Sequence, residues 1–317
     1  MEYFISFVFG ATVGSFVNVC VHRIPRDISL NKPRSRCSFC GQLIAWFDNI
    51  PICSYLRLGG KCRYCSTYFS PRYLLIEVFT GLLFAICYLR LVGMQRGYPP
   101  TSLDPEPFMR FWFHNPEVMV SLIVGWCFVA ALVVATFIDF EFQIIPDSVT
   151  IGGFWVALVI SFLFPYFHWL NAPDVVIDDL ILMKISDFLI DLPWGVLGNF
   201  RGLISALVGG AVGAGSVWIV GFIGRIVFRK EAMGFGDVKY NAMIGAFLGW
   251  KVALGTLLLG SVLGALAGII VLLRTRQSRM PFGPYLSLAA GLLFLFREPL
   301  FRLPVWWTNW LGRNLPI

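Results

Sequence analysis

Hydrophobic residues in this chain are gathered into long runs separated by polar segments. The runs lie near residues 1–20, 73–94, 118–138, 148–169, 202–224, 238–250, 252–273 and 282–296. A helix that crosses a bilayer needs about 20 mostly apolar residues in succession. The pattern therefore predicts an all-α polytopic membrane protein with about eight transmembrane helices. Residues 249–251 interrupt the sixth and seventh runs, so that pair could instead form one bent helix or a re-entrant segment.

The composition supports the same interpretation. Of the 317 residues, 57% are hydrophobic and only 14% are charged, whereas a soluble domain carries roughly a quarter charged residues. The first run lacks a basic region before it and a small-residue cleavage site after it, so we expect it to remain in the membrane as an uncleaved span.

Basic residues are concentrated in three of the polar segments. Residues 21–72, 225–239 and 274–279 are rich in Lys and Arg, while residues 171–200 are rich in Asp and residues 95–117 are mixed. Because Lys and Arg are retained on the cytoplasmic side, the three basic segments are predicted to be cytoplasmic and the other two external. The net charge of +7 then follows from topology and from attraction to anionic membrane lipid, and no nucleic-acid partner is required.

The predicted cytoplasmic segment 21–72 contains two CxxC motifs. Cys37 and Cys40 form the first, Cys62 and Cys65 form the second, and 21 residues lie between them. Four thiolates presented by two such knuckles satisfy a closed tetrahedral zinc site. The alternative is a pair of disulfides, which the reducing cytosol disfavours. We therefore predict a cytoplasmic zinc-binding loop domain, in which Cys53 is not a ligand.

Two carboxylates lie where apolar runs end or begin. Asp139 ends the run VVATFID, and Asp237 follows GFG at the start of another run. The glycines Gly234 and Gly236 leave room for a second backbone or an extended peptide to approach. An aspartic protease uses two carboxylates that share one proton. Asp139 and Asp237 are predicted to lie at the same membrane face, so they are candidates for such a pair.

Other acids and other protease chemistries fit less well. Glu141 and Asp147 are interpreted as helix-terminal residues, because an acid after Pro146 suits the first turn of a helix. The three histidines are widely separated, so no HExxH zinc-protease helix is present, and no GxSxG elbow is present either. We interpret His22 as an interfacial residue.

Several segments together resemble the type IV prepilin peptidases, which are bifunctional leader peptidases and N-methyltransferases. The resemblance covers most of the chain and rests on segments in the order of that family: GSFVNVCVHRIPR from Gly14, the paired CxxC knuckles, SPRYLLIEVFTG from Ser70, IDFEFQIIPD, GFGDVK and PFGPYL. GxGD alone is also found in the presenilin-type and preflagellin-type intramembrane aspartyl proteases, which lack the cysteine-bearing loop.

The resemblance implies a function and a location. It implies an aspartyl endopeptidase of the bacterial inner membrane, with the active site facing the cytoplasm, that cleaves the basic leader of prepilins or pseudopilins for type IV pilus or type II secretion machinery. It also implies methylation of the new amino terminus with S-adenosylmethionine as donor. Asp139 and Asp237 would be the catalytic pair, Lys239 would support the site, and Glu77 would contact substrate or methyl donor unless it only pairs with Arg72.

The predicted organisation follows from these segments. Residues 1–20 form the first transmembrane helix, 21–72 the zinc domain, 73–138 the second and third helices, 139–296 the peptidase membrane domain with an external insertion at 170–201, and 297–317 a C-terminal tail. Two other classes compete with the protease. One is a proton- or ion-coupled transporter that uses the two aspartates as relay groups. The other is a zinc-bearing scaffold without activity.

Overall fold

The described part of the chain is mainly helical. The computed structural model describes residues 2–32, 34–92, 116–164, 194–229, 233–275 and 280–296. Its helices are α1 Glu2–Arg23, α2 Cys53–Arg57, α3 Arg72–Leu91, α4 Pro116–Phe142, α5 Asp147–Leu163, α6 Trp194–Phe228, α7 Phe235–Leu248, α8 Trp250–Thr275 and α9 Gly283–Phe296. Extended pairing within these ranges consists of two isolated bridges, both in the cysteine-bearing segment.

Each predicted hydrophobic run corresponds to a helix. Five of the described helices, α1, α3, α4, α6 and α8, are long and apolar enough to cross a membrane, and α5 and α9 are shorter apolar helices. The prediction of a multi-pass, all-helical membrane protein is thereby confirmed. The number of eight crossings stays a prediction, since α5, α7 and α9 are shorter than a full span.

Two details of the predicted boundaries can be compared with the structure. Helix α6 begins at Trp194, so residues 194–201 of the predicted external insertion are helical, and the external location of the insertion stays a prediction. Residues 170–193 and the tail 297–317 lie outside the described residues. Gly249, with φ +86°, separates α7 from α8, so the two form separate helices and not one bent helix.

Two compact units make up the chain, Met1–Gly153 and Phe154–Ile317. In the first unit, α1 packs along α3 through its glycines: a Cβ added at Gly14 would lie 2.8 Å from Cα of Glu77, and one at Gly10 would lie 2.9 Å from Cα of Gly81. Helix α4 packs against both. The GxxxG spacing lets the backbones approach closely, and buried apolar side chains of α1, α3 and α4 close the core around Val21 and Ile138.

Helices of the second unit also pack through glycines, and their backbones approach each other more closely. A Cβ at Gly209 of α6 would overlap the carbonyl oxygen of Gly245 in α7, and one at Gly213 would overlap the carbonyl oxygen of Asn241. Helix α8 contacts both α6 and α7. Helix α9 is tied to α7 by a 2.7 Å hydrogen bond between the hydroxyl groups of Tyr240 and Ser287.

Candidate functional site

The four cysteines of the two CxxC motifs converge on one point. Their sulfur atoms all lie within 4.8 Å of one another, and Sγ of Cys37 is 3.8 Å from Sγ of Cys65. Four sulfurs bound tetrahedrally at about 2.3 Å from a zinc ion would be about 3.8 Å apart. All eight cysteines of the chain are free thiols, so the disulfide alternative is wrong. The donor set fits a metal ion.

The two knuckles have the same backbone structure. The N–H of Cys37 donates to the carbonyl of Gln42, and the N–H of Cys62 donates to the carbonyl of Thr67, both at 2.9 Å. Each knuckle is closed by one bridge, Arg36 with Leu43 and Lys61 with Tyr68. Gly41 and Ser66 follow the second cysteine of each knuckle with φ of +70° and +56°. The cysteine-bearing module, residues 24–71, is therefore a repeated hairpin-like unit that presents two thiols from each half.

Hydrogen bonds inside the module favour the thiolate form that binds metals. The hydroxyl group and the backbone N–H of Thr67 lower the pKa of Cys65 to about 6, and the backbone N–H groups of Cys40 and Phe39 lower the pKa of Cys37. At Cys40 the hydrogen bond from Gln42 lowers the pKa, but desolvation and the neighbouring thiols raise it to about 11. Since only the thiolate is a metal ligand, the hydrogen bonds favour the ligand form at Cys37 and Cys65 but not at Cys40.

Ion pairs of one carboxylate with two arginines stabilise the loop between the knuckles. The carboxylate of Asp48 accepts hydrogen bonds from Arg63 Nε at 2.6 Å and from Arg57 Nη2 at 2.8 Å. The Arg63 guanidinium keeps the pKa of Asp48 below its usual range. Both guanidinium groups also lie over the ring of Phe47.

Glu77 connects the module to the membrane helices. It lies one turn into α3, is 9% exposed, and its Oε2 accepts a 2.8 Å hydrogen bond from the backbone N–H of Ile52. Ile52 is the centre of a γ-turn: its φ is +62° and its ψ is −55°, and the N–H of Cys53 bonds the carbonyl of Pro51 at 2.5 Å. This conformation is strained for a β-branched residue, and it persists because the carboxylate holds the N–H.

The alternative partner suggested for Glu77 is wrong. Arg72, at the start of α3, forms its ion pair with Glu141 at the end of α4. Arg26, which follows α1, lies 4.9 Å from the ring centroid of Phe142. The C-terminal end of α4 therefore lies at the level where the module joins α1 and α3.

A cavity of roughly 400 Å³ lies between the module and the ends of α1 and α3. Ser15, Asn18 and His22 of α1 and Glu77 of α3 form part of its lining, and basic residues of the module form another part. The Nδ2 of Asn18 donates to the carbonyl of Tyr73 at 3.1 Å, but its Oδ1 has no hydrogen-bond partner among the described residues. Sequence reasoning missed Asn18, although it continues the four-residue spacing of Gly10 and Gly14, which was an available signal.

Asp139 lies on the buried face of α4. It is 5% exposed, and Ala135 and Leu132, one and two turns earlier, are buried on the same face. Its neighbour Ile138 belongs to the core of the first unit. Asp147 lies in the first turn of α5, which confirms the interpretation of this residue as a helix start.

Asp237 is the third residue of α7 in the second unit. Its Oδ2 accepts a 3.3 Å hydrogen bond from the N–H of Gly234, the residue that precedes the helix. Asn241 and Gly245 follow at intervals of four, so all three lie on the face of α7 that packs against α6. The ammonium group of Lys239 lies 5.2 Å from the ring centroid of Phe235.

Gly234, three residues before Asp237, has open space around it among the described residues. Gly234 is exposed, and a Cβ there would come no closer than 3.5 Å to the described residues, at the carboxylate of Asp237 itself. A peptide backbone could approach Asp237 from this side.

Comparison with known proteins agrees with the sequence motifs. The Bacterial Peptidase A24 N-terminal domain matches residues 8–91, and the Type IV leader peptidase family matches residues 126–269. The first match contains the cysteine knuckles and Glu77, and the second contains Asp139 and Asp237. No solved structure matches the chain at a significant level.

Curated relatives share the family over most of the chain. A protein named prepilin leader peptidase/N-methyltransferase from Myxococcus xanthus (strain DK1622) is 36% identical over 86% of this chain, which spans 64% of the length of that relative. Proteins of the same name from Pseudomonas putida and Pseudomonas aeruginosa are 31% and 30% identical and cover 94% and 92% of this chain, with 93% and 90% of their own lengths aligned. The chain therefore belongs to the type IV leader peptidase family.

Proposed function

We propose that this protein is a membrane-embedded aspartyl endopeptidase that removes the short basic leader of type IV prepilin-like proteins and then methylates the new amino terminus. The relatives carry the name prepilin leader peptidase/N-methyltransferase, and both family matches fall on the segments that contain the candidate residues. The observation that carries the proposal is the buried carboxylate of Asp139 at the end of an apolar helix, in a chain that also contains the GFGD segment at α7.

The proposed cleavage chemistry uses Asp139 and Asp237 as a pair. Two neighbouring carboxylates share one proton, because like charges a few ångströms apart cannot both be ionised. The ionised partner takes a proton from water, which attacks the scissile carbonyl carbon, while the protonated partner donates to the carbonyl oxygen. Gly234 and Gly236 leave space for the extended substrate, and Lys239 supports the site from outside the pair.

Methyl transfer is assigned to the first unit. Glu77 is proposed to contact the methyl donor or the substrate during this step, since it lies in the wall of the cavity below the module. S-adenosylmethionine supplies the methyl group when it is bound. The four cysteines would hold a structural zinc ion that keeps the module folded, because the binding free energy of such an ion is also folding free energy.

The proposed location is the bacterial inner membrane with the module and active site on the cytoplasmic side. Residues 21–72 carry nine Lys and Arg residues, which favours retention in the cytoplasm. The module joins α1 and α3 at the level of the Asp139 end of α4, so the carboxylate and the module share a face. The products would serve a type IV pilus or type II secretion machinery.

One experiment tests the proposal against its competitors. The full chain, purified and reconstituted in lipid nanodiscs, is incubated with a type IV prepilin and S-adenosylmethionine, and the products are weighed by mass spectrometry. We expect loss of the leader followed by addition of one methyl group, and metal analysis of the same preparation should find about one zinc per chain. An intact prepilin would contradict the proposal and favour a transporter or a scaffold.

A further inference from the structure

The cavity below the cysteine-bearing module has two chemically different walls. The wall formed by α1 and α3 contains the acceptors Asn18 and Glu77, with His22 and Arg23 at the end of α1. The wall formed by the module contains the cations Arg34, Arg36 and Lys61. A ligand with N–H donors facing Asn18 and Glu77 and an anionic group facing the module would be complementary to these residues. A volume of roughly 400 Å³ is within the range of small-molecule sites.

The acceptor wall is not satisfied by the protein itself. Asn18 is 4% exposed, its Nδ2 is used by the carbonyl of Tyr73, and its Oδ1 has no partner among the described residues. Buried polar atoms are nearly always hydrogen-bonded. Oδ1 of Asn241 in the second unit is also unpartnered but is enclosed by protein, so it is the position of Asn18 in a cavity wall that lets a ligand supply the missing donor.

Glu77 lies in the same wall and retains acceptor capacity. Its carboxylate accepts a hydrogen bond from the N–H of Ile52, and Ser15 lies in the same wall. An ionised carboxylate offers about four lone-pair positions, so at least one remains for a ligand. The γ-turn at Ile52 fixes one carboxylate oxygen, which leaves the group in one orientation.

We propose that this cavity is the methyl-transfer chamber, in which Asn18 and Glu77 accept the two N–H groups of the substrate's new amino terminus while Arg36 and Lys61 bind the carboxylate of a sulfonium methyl donor. The inference rests on the proposed methyltransferase function and adds the residues that carry it. Arg34, which is exposed at the same wall, completes the anion-binding side.

The two acceptors orient the attacking atom. A neutral primary amine has two N–H bonds and one lone pair, so two hydrogen bonds to Asn18 and Glu77 direct the lone pair away from the α1 and α3 wall and towards the donor. The nitrogen forms a bond to the methyl carbon as the carbon–sulfur bond breaks, and sulfur keeps the electron pair to become a thioether. The methylated ammonium then loses one proton to solvent.

The test separates donor binding from methyl transfer. Full-length protein in nanodiscs is given a mature pilin peptide that already lacks its leader, so that cleavage is bypassed, and methylation is followed with labelled S-adenosylmethionine. Binding of the donor alone is measured by equilibrium dialysis. The variants are Asn18→Ala, Glu77→Gln and Arg36→Gln, and the control is Asn31→Ala, an exposed module residue outside the cavity wall.

Variants of the α1 and α3 wall are expected to change kcat, and the variant of the module wall is expected to change the Kd of the donor. Asn18→Ala and Glu77→Gln should lower kcat for methylation at least about tenfold and leave the Kd of the donor within about twofold, and Asn18→Asp, which restores an acceptor, should recover part of the loss. Arg36→Gln should weaken donor binding. Wild-type rates in both acceptor variants would overturn the inference, as would an equal loss of donor binding in all three variants. Failure of the unmodified protein to methylate the peptide would contradict the proposed function itself.

Discussion

The two units each contain a glycine-mediated helix pair that is linked by an asparagine, and the two asparagines differ in their surroundings. In the first unit α1 presents Gly10, Gly14 and Asn18 to α3, and Asn18 donates to the carbonyl of Tyr73. In the second unit α7 presents Asn241 and Gly245 to α6, and Asn241 donates to the carbonyl of Gly213 at 3.0 Å.

The difference lies in what surrounds the amide. Asn241 is fully buried, and its Nδ2 also lies 3.4 Å from both the hydroxyl group of Ser216 and the carbonyl of Ala253. Asn18 makes one such contact and lines a cavity that also contains a carboxylate. Oδ1 of each asparagine lacks a hydrogen-bond partner among the described residues. The two therefore differ in their surroundings: the amide of Asn241 is enclosed by protein, whereas that of Asn18 lies in the wall of a cavity.

The largest change in the free energy of unfolding is expected where the backbones of α6 and α7 are in contact. Gly209→Ala would push a methyl group into the carbonyl of Gly245, and because backbone cannot move aside easily, we expect a destabilisation of about 3 kcal/mol or more. The measurement is reversible unfolding in mixed SDS micelles. The matched control is Gly215→Ala on the same helix, where a Cβ meets nothing within 4 Å and the change should stay within about 1 kcal/mol. Equal stabilities of the two variants would contradict the close contact.

A smaller change in the free energy of unfolding is expected when either asparagine is replaced by alanine. Asn241→Ala removes the interhelical hydrogen bond to Gly213, and we expect it to cost about 1 to 2 kcal/mol, whereas Asn18→Ala should cost about 0.6 kcal/mol or less. The same unfolding measurement compares them. If Asn18→Ala proved the more destabilising of the two, the amide of Asn18 would be a packing element, and the contrast between the two units would be lost.

The sequence predicted the helices well and the helix ends less well. Long apolar runs specify α1, α3, α4 and α8 because a bilayer demands that length. The predicted apolar run 202–224 begins later than α6, which begins at Trp194, and two glycines and Arg201 interrupt the apolar residues within 195–201. Helix formation is cooperative, so the apolar residues between them carry the helix back to Trp194.

The cluster of four cysteines was predictable and the cavity was not. The CxxC spacing fixes two thiols on each knuckle, so the four-cysteine cluster follows from local sequence alone. The wall of the cavity joins Asn18 to Glu77 across two helices, and Ile52 adopts a conformation that no local propensity favours. Such a site depends on packing between distant segments, which hydrophobic patterns do not encode.

The measurement that tests the central claim most directly is leader cleavage by carboxamide variants of the two aspartates. Asp139→Asn and Asp237→Asn, each checked for unchanged unfolding, should slow cleavage of a prepilin by at least about a hundredfold, because neither can complete the proton exchange alone. Asp147→Asn should retain substantial activity, since Asp147 lies in the first turn of α5 as a helix-start residue. Retained cleavage in Asp139→Asn together with loss in Asp147→Asn would replace Asp139 by Asp147 in the pair. Retained cleavage in both Asp139→Asn and Asp237→Asn would contradict the aspartyl mechanism.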